Sequence, residues 1–156
     1  MADIYKTKLE HINKKITLCI ELFNTIVKDI KTTISRELPN SFSMSLYYMA
    51  VDRIVTTMPN EPISFFIKNI YCNDIFRKNI MEGNDAFFSE STTDGLGVSK
   101  NDENAINTLF QFKSCWKDLT NEKQLYIKKA MKTLIEITKK YIEEKDNGNK
   151  LLSNYV

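Results

Sequence analysis

NAINTLFQFKSCWKDLTNEKQLYIKKAMKTLIEITKKYIEE, residues 104–144, is the stretch from which the fold of this 156-residue chain is read. Ala105, Ile106, Leu109, Phe110, Lys113 and Trp116 recur at spacings of three and four, the period of one helical stripe. The pattern breaks at Trp116-Lys117-Asp118-Leu119-Thr120, which carries the single tryptophan, and restarts with Thr120 as a candidate N-cap. Ile127, Ala130, Leu134, Ile137 and Tyr141 then step alternately by three and four. The spacing predicts a helical hairpin over 104–144 with the indole buried at its corner.

The N-terminal third repeats this period without a break. Leu9, Ile12, Ile16, Cys19, Phe23, Ile26 and Ile30 form a seam, and the charged residues Lys14, Lys15, Glu21, Lys28 and Asp29 fall outside it, so one long helix is predicted over about 4–37. At 1.5 Å per residue such a helix outruns the width of a compact domain of this size. Part of its apolar stripe then overhangs the bundle. A second copy, the groove of another protein, or an elongated bundle of the chain's own making would cover it.

Between these elements, shorter helices are predicted over about 43–82. Ser41 or Ser43 caps the first, Met58-Pro59 stops it, Asn60 and Pro62 open the next, and Asn73 opens a third that Gly83 closes. Residues 83–103 hold Gly95, Gly97 and most of the mid-chain acids, and read as an acidic loop. Residues 147–156, with Gly148 among Asp and Asn, read as a flexible tail. No segment alternates with the two-residue period of a strand. The expected fold is an all-α, single-domain bundle of five to six helices spanning 1–146.

Composition narrows the function classes. Apolar residues make up 42% of the chain, enough for one complete core, and no apolar run reaches the ~18 residues of a membrane span. The first residues lack the apolar core of a secretory signal, which points to the cytoplasm. The three cysteines Cys19, Cys72 and Cys115 all sit in apolar helical patterns, so buried free thiols are expected. Isoleucine, lysine and asparagine supply a third of the chain, a bias typical of AT-rich genomes.

No catalytic constellation emerges. His11 is the only histidine, which leaves zinc sites and Ser-His-Asp triads little to draw on. Gly95-Leu96-Gly97 lacks the remainder of a phosphate-binding loop. Glu90, Thr92, Asp94 and Gly95 match early positions of a calcium loop, but Asn101 stands where the closing bidentate carboxylate belongs. Glu143 and Glu144 lie about 100° apart on a helix and do not converge. No enzyme activity, cofactor or metal is therefore expected.

A net charge of +2 is too small for a nucleic-acid footprint on its own. Lys128, Lys132 and Lys139 nevertheless share one face of the last helix and are the candidate phosphate contacts of an alternative role as a weakly basic nucleic-acid accessory factor. Glu136 interrupts their row.

One resemblance is carried by Pro62-Ile63, Ile70-Tyr71-Cys72-Asn73-Asp74, Arg77-Lys78-Asn79-Ile80 and Gly83-Asn84-Asp85-Ala86-Phe87-Phe88, followed by Phe112, Trp116-Lys117-Asp118-Leu119, Lys123, Ile127 and Leu134. This segment, roughly residues 60–142, resembles small uncharacterised helical proteins of nucleocytoplasmic large DNA viruses, the giant viruses. The resemblance implies a viral protein of the host cytoplasm, viral factory or virion, and brings no catalytic residues with it. The functional expectation is a non-catalytic protein–protein interaction or assembly protein. Its partner, or a second copy in a homodimer, would meet the N-terminal helix at Leu9, Ile12, Ile16 and Phe23, or the aromatic pair Phe87 and Phe88, whose simpler reading is that they anchor the start of the acidic loop in the core.

Overall fold

The computed structural model describes residues 2–89 and 110–155, and among them every regular element is helical. Helix α1 (Ala2–Glu37) is followed by α2 (Phe42–Thr57) and α3 (Glu61–Phe66). A π turn over Ile67–Tyr71 extends α3; α4 (Asp74–Glu82) and α5 (Asp85–Ser89) follow. Beyond the undescribed stretch, a 3-10 helix (Gln111–Asp118) leads into α6 (Asn121–Tyr155). The all-α class and the long first helix agree with the sequence reading.

Several boundaries follow from local chemistry. Pro39 lies just past the end of α1, and Pro59 just past α2, where the residue before each proline is held out of the helical region. The Asn73 side chain accepts a hydrogen bond from the Phe76 N–H and caps α4, and Gly83 closes that helix at φ +70, a left-handed conformation that favours glycine. Thr120 caps α6 by accepting from the Lys123 N–H at 3.3 Å. The π turn is closed by the Cys72 N–H donating to the Ile67 carbonyl at 3.0 Å. Its extra residue per turn carries Ile70 into the core and leaves Cys72 exposed, so only Cys19 and Cys115 are the buried thiols expected of all three.

One core joins the elements. Phe23, Val27, Ile30 and Ile34 of α1 meet Val51 and Ile54 of α2, Ile63 and Phe66 of α3, Ile80 of α4, and Ile127, Met131 and Leu134 of α6. Phe23 packs edge-on against Phe66, with ring centroids 5.3 Å apart. Full burial of each such ring contributes about 1.5–3 kcal/mol relative to an exposed one. Trp116, 3% exposed, sits at the corner before α6 and stacks on Phe88 at 4.8 Å.

α1 and α6 share the most extensive contact and run antiparallel: Glu37 meets Thr120 at one end, and Ile12 meets Gly148 towards the other. The buried apolar cluster stops near Phe23 on α1 and Ile135 on α6. From there the two helices continue side by side as a stalk, about 30 Å long on the α1 side by the helical rise per residue. α1 therefore outruns the compact core, and of the covers considered for its stripe it is the chain's own last helix that lies along one flank.

Three expectations need correction. Residues 147–155 of the expected flexible tail are helical: α6 runs through Tyr155, with Gly148 buried against α1 and Leu151 half-buried beside it, and Val156 lies outside the described residues. The first arm of the hairpin is not α-helical over 111–118; a 3-10 helix there sets Phe112 and Cys115, three residues apart, in line on the side facing the core. The acidic loop does not begin at residue 83, since Asp85–Ser89 is a helical turn anchored by its two phenylalanines. Residues 90–103, and Ala105, Ile106 and Leu109 of the hairpin stripe, lie outside the described residues.

A candidate docking face on the second helix

Helix α2 is apolar on two opposite sides. Met44, Tyr47, Val51 and Ile54 form the inner side and are buried. Tyr47 packs edge-on against Phe112 of the 3-10 helix at 6.5 Å, and the Tyr48 hydroxyl donates to the Leu38 carbonyl at 2.8 Å. Burial of this inner row sets the rotation of α2 about its axis, and Lys31 of α1 pairs with Asp52 at 2.9 Å beside it. That rotation turns the opposite stripe outward: Phe42 is 93% exposed, Leu46 72% and Met49 70%. These three recur at i, i+4 and i+7, one row on the helix surface, and Arg53 continues it by another turn.

The polar groups flanking this row are engaged within the chain. The Ser45 hydroxyl donates to the Phe42 carbonyl at 2.7 Å and the Thr57 hydroxyl to the Arg53 carbonyl at 2.7 Å. Asp52 is held by Lys31. What faces outward is thus a neutral apolar strip ending in one guanidinium, for which no ion pair occurs among the described residues.

The residues singled out in the sequence lie elsewhere. Leu9, Ile12 and Ile16 line the stalk and are half-buried against α6. Phe23, Phe87 and Phe88 are core residues, which corrects their reading as interaction candidates: Phe23 packs on Phe66, and Phe87 and Phe88 pack on Phe76 and Trp116. Of the candidate phosphate contacts, Lys128 is ion-paired with Asp85, and Lys132 reaches the C-terminal turn of α4 at Gly83, where its charge opposes the negative end of the helix dipole. Of the three, only Lys139 is exposed. The three do not make a free cationic row.

Among the described residues, the stalk carries the one buried carboxylate. Glu144, its side chain 3% exposed, lies between Lys140 at 3.2 Å and Lys15 of α1 at 3.8 Å. Desolvation pushes its pKa up, but the hydrogen bond from Lys140 and the charge of Lys15 outweigh this and hold it below the ordinary glutamate range. Burial raises the pKa of Cys19, and the neighbouring Glu144 charge raises it further. Burial likewise pushes Cys115 up to about 11, leaving both thiols protonated and unreactive at neutral pH.

Among the described residues the surface grooves bring together no converging set of reactive groups. One of about 350 Å3 between α1 and α6 is lined by Asp29, Arg36, Glu122, Lys123 and Tyr126, among others; another of about 370 Å3 lies over Lys15 and Glu144 with Lys8, His11 and Lys150 at its rim. Among the described residues no three His, Cys, Asp or Glu side chains come together as a metal site would require, and no helix is long and apolar enough to cross a membrane. Comparison with protein-family models, with curated proteins and with solved structures finds no match to this chain.

The α2 row is visible in the sequence. Phe42, Leu46 and Met49 show the same 3-4 spacing as the inner row, and a helix apolar on both sides has to bury both or offer one to a partner.

Proposed function

We propose that this chain is a non-catalytic protein–protein interaction or assembly protein that works through its helical surfaces, with the outer row of α2 as its principal docking face. One observation carries the reading: α2 has two apolar sides, and among the described residues the fold covers only one. Exposed apolar rows of this kind on soluble domains mark interaction sites, and the i, i+4, i+7 arrangement is the one by which helices seat in grooves. The half-buried stripe of Leu9, Ile12 and Ile16 on the stalk is a secondary surface on the same reading. The resemblance over residues 60–142 extends the proposal to an assembly role in the host cytoplasm, viral factory or virion of a giant-virus infection.

The alternative, a weakly basic nucleic-acid accessory factor, has less to draw on because Lys128 and Lys132 are engaged within the fold. It predicts an affinity that falls steeply with salt as counterions are released, whereas docking on the α2 row does not.

The test is association measured side by side for the wild type and a Leu46→Asp/Met49→Asp variant, both towards a second copy and towards proteins of the native source. The reading expects an association of the wild type that the variant loses while keeping its helical circular dichroism. Identical behaviour of the two proteins in every association assay contradicts it.

A further inference from the structure

We infer that the occupant of the outer α2 row is the same row of a second copy of this chain, packed antiparallel about a two-fold axis. This rests on the docking reading above and names the partner. The row is self-complementary in order: Phe42 stands at one end, Arg53 at the other, and Leu46 and Met49 between them. In an antiparallel pair the axis passes between Leu46 and Met49, and an isologous interface then repeats each contact twice. Leu46 meets Met49 of the partner subunit, and the Arg53 guanidinium lies over Phe42 of the partner subunit.

A guanidinium over an aromatic face is attractive, and the symmetry makes two such contacts. A parallel pairing would set Arg53 against Arg53 of the partner subunit, two like charges with no counterion on the strip. The charge pattern therefore selects the antiparallel arrangement. It also disfavours a strongly basic partner, which Arg53 would repel, and gives a strongly acidic one only a single cation to meet.

Area points the same way. With exposures of 93, 72 and 70% for Phe42, Leu46 and Met49, the three side chains offer roughly 450 Å2 per copy, over half of the ~800 Å2 that each partner gives to a standard interface. Arg53, Ser45, Thr56 and Asn40 at the rim bring the total buried by the pair to the ~1,000 Å2 at which a specific interface begins. The row is about 16 Å long by the helical rise, so one helix face suffices to make the contact.

The test combines sedimentation over a concentration series with cross-linking of the full chain. The wild type is expected to show a reversible monomer–dimer equilibrium. Leu46→Asp is expected to be monomeric with unchanged circular dichroism, and Arg53→Glu to weaken the dimer by about 5- to 30-fold, the loss of two cation–π contacts. In a Cys72→Ser background, mixing Leu46→Cys with Met49→Cys is expected to give the mixed disulfide in preference to either homodisulfide. A wild type that stays monomeric at the highest concentration overturns the inference, as does a dimer indifferent to Leu46→Asp, or a dominance of homodisulfides. A monomeric wild type that still binds another protein, and loses it with Leu46→Asp, removes the second copy but leaves the docking face standing. A monomeric wild type whose associations are all untouched by Leu46→Asp removes both.

Discussion

The Thr120 N–H donates to the Glu37 carboxylate at 2.7 Å, joining the last residue of α1 to the cap of α6 across 83 residues of chain. The two longest helices are thereby pinned at one end and left to run antiparallel towards the other. A charge-assisted hydrogen bond of this kind contributes about 1.5–3 kcal/mol when shielded, and this one is exposed, so about 1 kcal/mol is expected from it. Glu37→Ala should lose that amount in urea denaturation. Glu37→Gln, whose amide oxygen can still accept, should lose less than half of it. Equal stability of Glu37→Ala and the wild type would show that the corner is held by packing alone.

That packing centres on Trp116 and Phe88, stacked at 4.8 Å with an interplanar angle of 23°. Trp116→Ala should cost about 3–5 kcal/mol, the range for truncating a buried aromatic. Because this is the only tryptophan, intrinsic fluorescence reports on it directly. A native emission maximum of a water-exposed indole, or a Trp116→Ala variant as stable as the wild type, would contradict the burial.

Gly148 interrupts α6 with the residue that loses most backbone entropy on folding, yet it is buried in the stalk. A Cβ built there meets the Ile12 side chain at 3.6 Å, an ordinary van der Waals contact. Gly148→Ala should therefore stabilise the protein by up to about 1 kcal/mol, through helix propensity and the added contact. A destabilised variant would mean that α1 and α6 approach more closely at this point than described.

Glu144 makes the stalk sensitive to acid. Its folded-state pKa is lowered, so the stabilisation it brings is fully present above the unfolded-state value of about 4.3 and is lost as pH falls through the lower folded-state value. The stability difference between wild type and Glu144→Gln should be constant from neutral pH down to that point and shrink below it. A difference that does not change over the acid range would show that the carboxylate is not held by Lys15 and Lys140 as described.

Much of this architecture was legible from single residues. Pro39, Pro59, Asn73, Gly83 and Thr120 each constrain the backbone locally, and the structure uses each as its chemistry dictates. Reading failed where a local signal met a long-range one. Gly148 looks like a helix terminator until the packing of Ile12 against it is known. Spacings of three and four at Phe112, Cys115 and Trp116 suit a 3-10 helix as well as an α-helix, so periodicity could not separate them. Phe87 and Phe88 were placed in the candidate site because adjacent aromatics fit either a core or a docking face, and Trp116, which decides between them, lies far along the chain. On α2 the inner and outer rows share the same 3-4 spacing, so periodicity alone does not say which one the core takes.

The central claim is that the two sides of α2 have different tasks, the inner row holding the fold and the outer row meeting a partner. The most direct measurement is the free energy of unfolding of Leu46→Asp/Met49→Asp at a concentration where the wild type is monomeric, with Val51→Asp as the reference for the buried side. The outer-row variant should lie within about 0.5 kcal/mol of the wild type, as surface changes do, while Val51→Asp, which buries a charge, should lose more than about 4 kcal/mol. An outer-row variant that loses several kcal/mol would show that Leu46 and Met49 hold the fold, and would contradict the account.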